Sequence, residues 1–152
     1  MSLIHLPENY EPSEKEPYMC DMHLQYFKNK LLSKKQELLH DSRETLEHLQ
    51  ETGLSQPDLN DQAALEFEAT LELRNGDRKR KLLNKIEEAL VRIESGEYGY
   101  CEDTGEPIGI ARLKARPIAT LCIEAQERHE RDERQFSDSD DDELDDSSRL
   151  AF

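Results

Sequence analysis

From residue 20 to residue 52, Leu24, Phe27, Leu31, Leu38, Thr45 and Leu49 recur at steps near three, four and seven, with Lys, Glu, Gln and His between them. That period predicts an amphipathic helix. Gly53 ends the pattern, as glycine commonly ends a helix. Some 30 residues at 1.5 Å each give a rod of roughly 45 Å. The next stretch, GLSQPDLNDQAA, is rich in turn formers, and Asp58, Asn60 and Asp61 are each fit to cap a following helix. The second helix is expected from about Asn60 to Ser95. Its apolar residues gather at the ends: Leu65 and Phe67 near the turn, then Leu82, Leu83, Ile86, Leu90 and Ile93. From Glu72 to Arg80 it is strongly polar. Two long helices joined by a short turn predict an antiparallel coiled-coil hairpin with a wet middle.

Gly96 closes that helix. Short strand-like pieces are expected around 98–100 and 108–110, and a last helix from about Ile118, after Pro117, to Gln135. The expected fold is mainly α: a long hairpin (20–95, tip at 54–64), then a small knuckle with a C-terminal helix (96–136). Residues 1–19 hold three prolines and several acids and are expected to be ordered only if they dock. Residues 137–152 carry seven acids against Arg149 and predict a self-repelling, disordered tail.

Composition narrows the function. With 35% hydrophobic and 36% charged residues and no Trp among 152, the chain suits narrow apolar seams rather than a thick core. A net charge of −15 argues against binding nucleic acid or anionic membrane through a basic surface, and favours a protein partner with a positive channel. The start of the chain does not read as a signal peptide, and no apolar run reaches the roughly 20 residues of a membrane span, so a cytoplasmic location is expected. An intramolecular hairpin uses its own seam, which favours a monomer.

Three features could carry chemistry. The first is the knuckle. Structural zinc takes four ligands, usually thiolate or imidazole, often from CxxC turns. Cys101 and Cys122 are present, but Thr104 and Ala125 stand where partner sulfurs would be. Asp103 and His129 offer a Cys/Asp/Cys/His set of unusual spacing, and the ligand rules weigh against zinc. A disulfide between the two cysteines conflicts with a reducing cytosol. The second is the turn, where Asp58 and Asp61 sit beside small Ala63: simple helix caps, or an acidic tip able to meet Mg²⁺, water or basic groups in a partner's cavity. The third is the basic run RNGDRKRKLLNK, either a solvated helix face or an anion patch. No phosphate loop, HExxH or nucleophile elbow is present, and no enzyme mechanism assembles.

From about Glu16 to His129 the chain resembles the DksA/TraR family. The resemblance rests on EPYM, PDLNDQAA at the turn, LELRNGDRKRKLLNKIEEAL on the second helix, GEYGYCED, and EPIGIARLKARPIATLCIEA through the knuckle. It implies a factor that binds bacterial RNA polymerase rather than DNA. The hairpin would enter the secondary channel and alter promoter complexes, repressing ribosomal RNA promoters and activating some amino-acid promoters with the alarmone ppGpp. Asp58, Asp61 and Ala63 match the family's tip residues. Leu82, Lys85 and Arg116 match residues of its alarmone site, where Gln126 replaces a usual lysine. The family's four zinc cysteines fall on Cys101, Thr104, Cys122 and Ala125, so the resemblance implies a zinc-independent knuckle. Competing readings are a Gre-type transcript-cleavage factor, a redox or metal sensor built on Cys101 and Cys122, and a plain coiled-coil adaptor.

Overall fold

The computed structural model describes residues 4–52 and 58–149. Four helices follow in order: α1 (Asp21–Thr52), α2 (Leu59–Ser95), α3 (Ile110–Ala115) and α4 (Ile123–Arg149). The chain divides into two compact units, Met1–Tyr98 and Gly99–Phe152.

In the first unit α1 and α2 form the hairpin that the apolar period predicts. Phe27, Leu31 and Leu38 of α1 and Ile86, Ala89 and Ile93 of α2 are buried, and so is Tyr98. Cross-helix ion pairs record the register. Lys28 meets Glu94 at 3.9 Å, and Lys35, seven residues on, meets Glu87, seven residues back, at 3.0 Å. Asp41 meets Lys79 and His48 meets Glu72, both at 3.7 Å, with the same seven-residue stride. A matched stride in opposite directions is the signature of an antiparallel coiled coil. These pairs are partly exposed, so each adds at most about 1 kcal/mol and serves register more than stability.

The N-terminal arm docks on the start of α1. The Tyr10 hydroxyl donates to Glu16 Oε2 at 2.7 Å, and the same oxygen lies 3.0 Å from His23 Nε2. His23 is fully buried and Pro12 is buried. Tyr10 stands edge-on to Tyr26, Tyr26 to Phe27, and Phe27 tilts against Tyr98. The aromatic row therefore ties arm, helix and hairpin base together.

The second unit differs from expectation in three ways. The two strand-like pieces reduce to one antiparallel bridge, Tyr100 with Pro107, and Ile110 opens α3 instead. The last helix begins at Ile123, not Ile118. Arg116 precedes Pro117 and so is extended, at φ −138°, ψ 84°. The segment after it turns on Ala119 N–H to Arg116 O and lends the Thr120 carbonyl to Glu102 N–H. Only after Cys122, whose carbonyl accepts from Gln126 N–H, does the helical ladder start. Finally, the acidic segment expected to be disordered continues α4 as far as Arg149. No Gly or Pro follows Pro117, so nothing in the backbone chemistry breaks the ladder.

Candidate functional site

The tip comes first. Asp58 is exposed and precedes α2, and its carbonyl accepts the first helical bond from Gln62 N–H at 2.9 Å. Asp61 lies in the first turn of α2, where a carboxylate meets the positive end of the helix dipole. Asp61 and Ala63 are exposed. The capping position and the acidic first turn thus coexist with two carboxylates open to solvent. The first residues expected in the tip, 54–57, lie outside the described residues.

The knuckle is built on Cys101. Its N–H donates to Glu106 O at 2.8 Å, and its carbonyl accepts from Gly105 N–H at 2.9 Å. This reversal needs the left-handed backbone of Gly105, φ 72°. The Cys101 thiol is buried, which pushes its pKa up. Hydrogen bonds to sulfur from the Thr104 hydroxyl and from the amides of Cys122, Thr104 and Asp103 outweigh that and lower it to about 6. The backbone thus retains a thiolate-stabilising turn.

The other positions do not complete a zinc site. Thr104 Oγ1 lies 3.9 Å from Cys122 Sγ, and Ala125 is fully buried with only a methyl to offer. The alternative ligands Asp103 and His129 bind each other, Oδ2 to Nε2, at 2.7 Å. Among the described residues, three or more His, Cys, Asp or Glu ligand atoms converge at His40, Asp41 and Glu44, not at the knuckle. A donor set of two sulfurs, a hydroxyl and a methyl does not fit tetrahedral zinc. Neither Cys101 nor Cys122 is in a disulfide. The Asp103–His129 bond was not singled out by sequence as a contact: it joins the Cys101 turn to α4, 26 residues away.

The alarmone candidates are divided between the units. Leu82 and Lys85 stand three residues apart on one side of α2, the first half-buried and the second exposed. Arg116 is exposed just after α3, and the Gln126 amide donates to Glu130 at 3.0 Å.

Comparison with known proteins now fixes the family. The profile of the DnaK suppressor protein DksA N-terminal domain matches residues 23–93, and that of the prokaryotic dksA/traR C4-type zinc finger matches 96–131. A Caulobacter vibrioides relative named RNA polymerase-binding transcription factor DksA is 58% identical over 130 residues, 86% of this chain and 92% of the relative. An Escherichia coli K12 relative of the same name is 42% identical over 130 residues, 86% of each chain. The solved structure of transcription factor DksA2 from Pseudomonas aeruginosa superposes with a TM-score of 0.72 at 43% identity, covering 77% of this chain and 90% of that one. The chain belongs to the DksA family of transcription factors. The relatives carry the name of a transcription factor, not of an enzyme.

Proposed function

We propose that this protein is an RNA polymerase-binding transcription factor that places its hairpin tip in the polymerase secondary channel and alters initiation. The observation that carries the reading is the pair Asp58 and Asp61, exposed with Ala63 at the far end of a long helical hairpin, in a chain 58% identical to a named RNA polymerase-binding factor. Two carboxylates on a narrow probe can meet Mg²⁺, water or basic side chains inside a cavity too small for a globular domain. A net charge of −15 fits a partner with a positive channel and disfavours direct DNA binding. The family match supports this reading over a Gre-type cleavage factor, a cysteine sensor or an adaptor.

The knuckle works without zinc in this reading. Amide bonds to Cys101, the Asp103–His129 bond and the buried Ile108, Ile110, Leu113 and Ala125 hold it instead. Protein purified without added metal should carry far less than one zinc per chain; stoichiometric zinc would overturn this. Leu82, Lys85 and Arg116 each stand at a position that the family resemblance associates with the alarmone. Gln126 lacks the charge that strengthens a bond to polyphosphate, so the ppGpp response is weakened.

Single-round transcription from a ribosomal RNA promoter tests the function. The intact protein should inhibit, Asp61→Asn should not, and ppGpp should add little. Inhibition undiminished in the variant would remove the tip from the mechanism.

A further inference from the structure

Thr104 and Ala125 leave the knuckle with two sulfurs, and those two converge. Cys101 is 3% exposed and Cys122 8%, so both side chains lie in the interior of the second unit. The Thr104 hydroxyl is hydrogen-bonded to the Cys101 sulfur and stands 3.9 Å from the Cys122 sulfur. The Cys122 amide is itself a donor to the Cys101 sulfur. One small hydroxyl and one amide therefore link the pair across 21 residues of sequence. No harder donor joins them. Asp103 and His129 are bound to each other at 2.7 Å, and Ala125 is fully buried with only its methyl. Among the described residues no third His, Cys, Asp or Glu atom groups with the two sulfurs.

Two buried sulfurs without a third donor misfit zinc, which takes four ligands. They suit an ion of another class. A monovalent d10 ion such as Cu(I) is soft, selects thiolate over oxygen and nitrogen, and is satisfied by two sulfurs in line. It neutralises one of the two thiolate charges. The amides of Cys122, Thr104 and Asp103 directed at the Cys101 sulfur offset the other, the role that outer hydrogen bonds play around metal ligands. Burial adds selectivity. A harder dication would keep water in its open positions, and a methyl at residue 125 offers such water no partner.

We propose that Cys101 and Cys122 form a two-coordinate site for a soft monovalent metal ion of the Cu(I) class. The Thr104 hydroxyl, which now lies against both sulfurs, yields the place between them to the ion. The site is thus a change of metal class at the knuckle rather than a plain loss of metal. It lies wholly within the second unit, and its test needs no polymerase, so its failure and that of the transcription reading are distinguishable.

Titration of the reduced, full-length protein under argon tests the proposal, with Cu(I) supplied as its bicinchoninate complex. The protein should take one Cu(I) per chain from the chelator, and its ultraviolet thiolate-to-copper absorption should saturate at one equivalent. X-ray absorption of the complex should show two sulfur neighbours per copper and no nitrogen or oxygen. An equal concentration of zinc should not displace the copper. Cys101→Ser and Cys122→Ser should each weaken binding about a hundredfold or more. Cys20→Ser should leave it unchanged. A serine at a buried position can itself loosen the knuckle, so Thr104→Cys gives a change in the opposite direction. It should add a third sulfur neighbour and tighten Cu(I) about tenfold. Copper left wholly with the chelator, half an ion per chain, loss of binding in Cys20→Ser, or displacement by zinc would overturn the proposal. So would nitrogen or oxygen neighbours in the absorption spectrum.

Discussion

Cys101 keeps the local chemistry of a thiolate turn in a knuckle where Thr104 and Ala125 stand at two of the family's cysteine positions. Its amide donors stabilise the charged sulfur more than burial penalises it, bringing the pKa from 9.0 to about 6. A group whose pKa is depressed on folding stabilises the fold above its unfolded value and loses that contribution as pH falls through its folded value. The melting temperature should therefore rise between pH 6 and pH 9 relative to Cys101→Ser, in which the slope is missing; parallel profiles would contradict the thiolate. His23 is a second residue with a job that sequence did not disclose. A histidine at a helix start has no periodic signature, and Glu16 sits in an arm with no pattern at all. Yet His23 is fully buried against that carboxylate. His23→Ala should cost about 1–3 kcal/mol in urea denaturation and release the arm to proteolysis. A stability unchanged within error would show that the contact carries nothing.

At the scale of elements, periodicity was sufficient for α1 and α2. Leu24 to Leu49 keep one phase over about seven turns' worth of sequence, and α2 ends at Ser95, just before Gly96 with its left-handed φ of 82°. The knuckle was less legible. A six-residue helix such as α3 spans too few turns to show a period, and Pro117 reads as a helix start although its segment is committed to pairing with Glu102. The polar middle of α2 was visible in Glu72 to Arg80, but the groove it leaves depends on which side chains face it. Gly76 makes the point measurable. Nothing lies within 4 Å of a Cβ there, so Gly76→Ala should stabilise the hairpin by about 0.5–1 kcal/mol through backbone entropy alone. A lower melting temperature would mean that the glycine is needed for a bend or close approach. At the other end, Asp103→Ala removes the 2.7 Å bond to His129 and should loosen α4 from the Cys101 turn, seen as faster amide exchange at Ala125 and Gln126. Unchanged exchange would leave packing as the sole tie.

At the scale of the molecule, the hairpin and the knuckle have different dependence on chemistry. The hairpin rests on an apolar seam, so its tip is available for function: Asp58, Asp61 and Ala63 are exposed. Substitutions there should change activity and leave the melt within about 0.5 kcal/mol, apart from a capping loss of about 1 kcal/mol at Asp58. The tip residues were legible because a turn between two long helices has one place for them. Their role was not, since capping explains the same aspartates; the functional role proposed for them comes from the family resemblance. The most direct test of the account places a photo-crosslinking amino acid at Ala63 and activates it in a complex with RNA polymerase. The account predicts crosslinks to the walls of the secondary channel beside the catalytic centre, lost when the channel is occluded. Crosslinks confined to the outer surface of polymerase, from a protein that still binds it, would contradict the account.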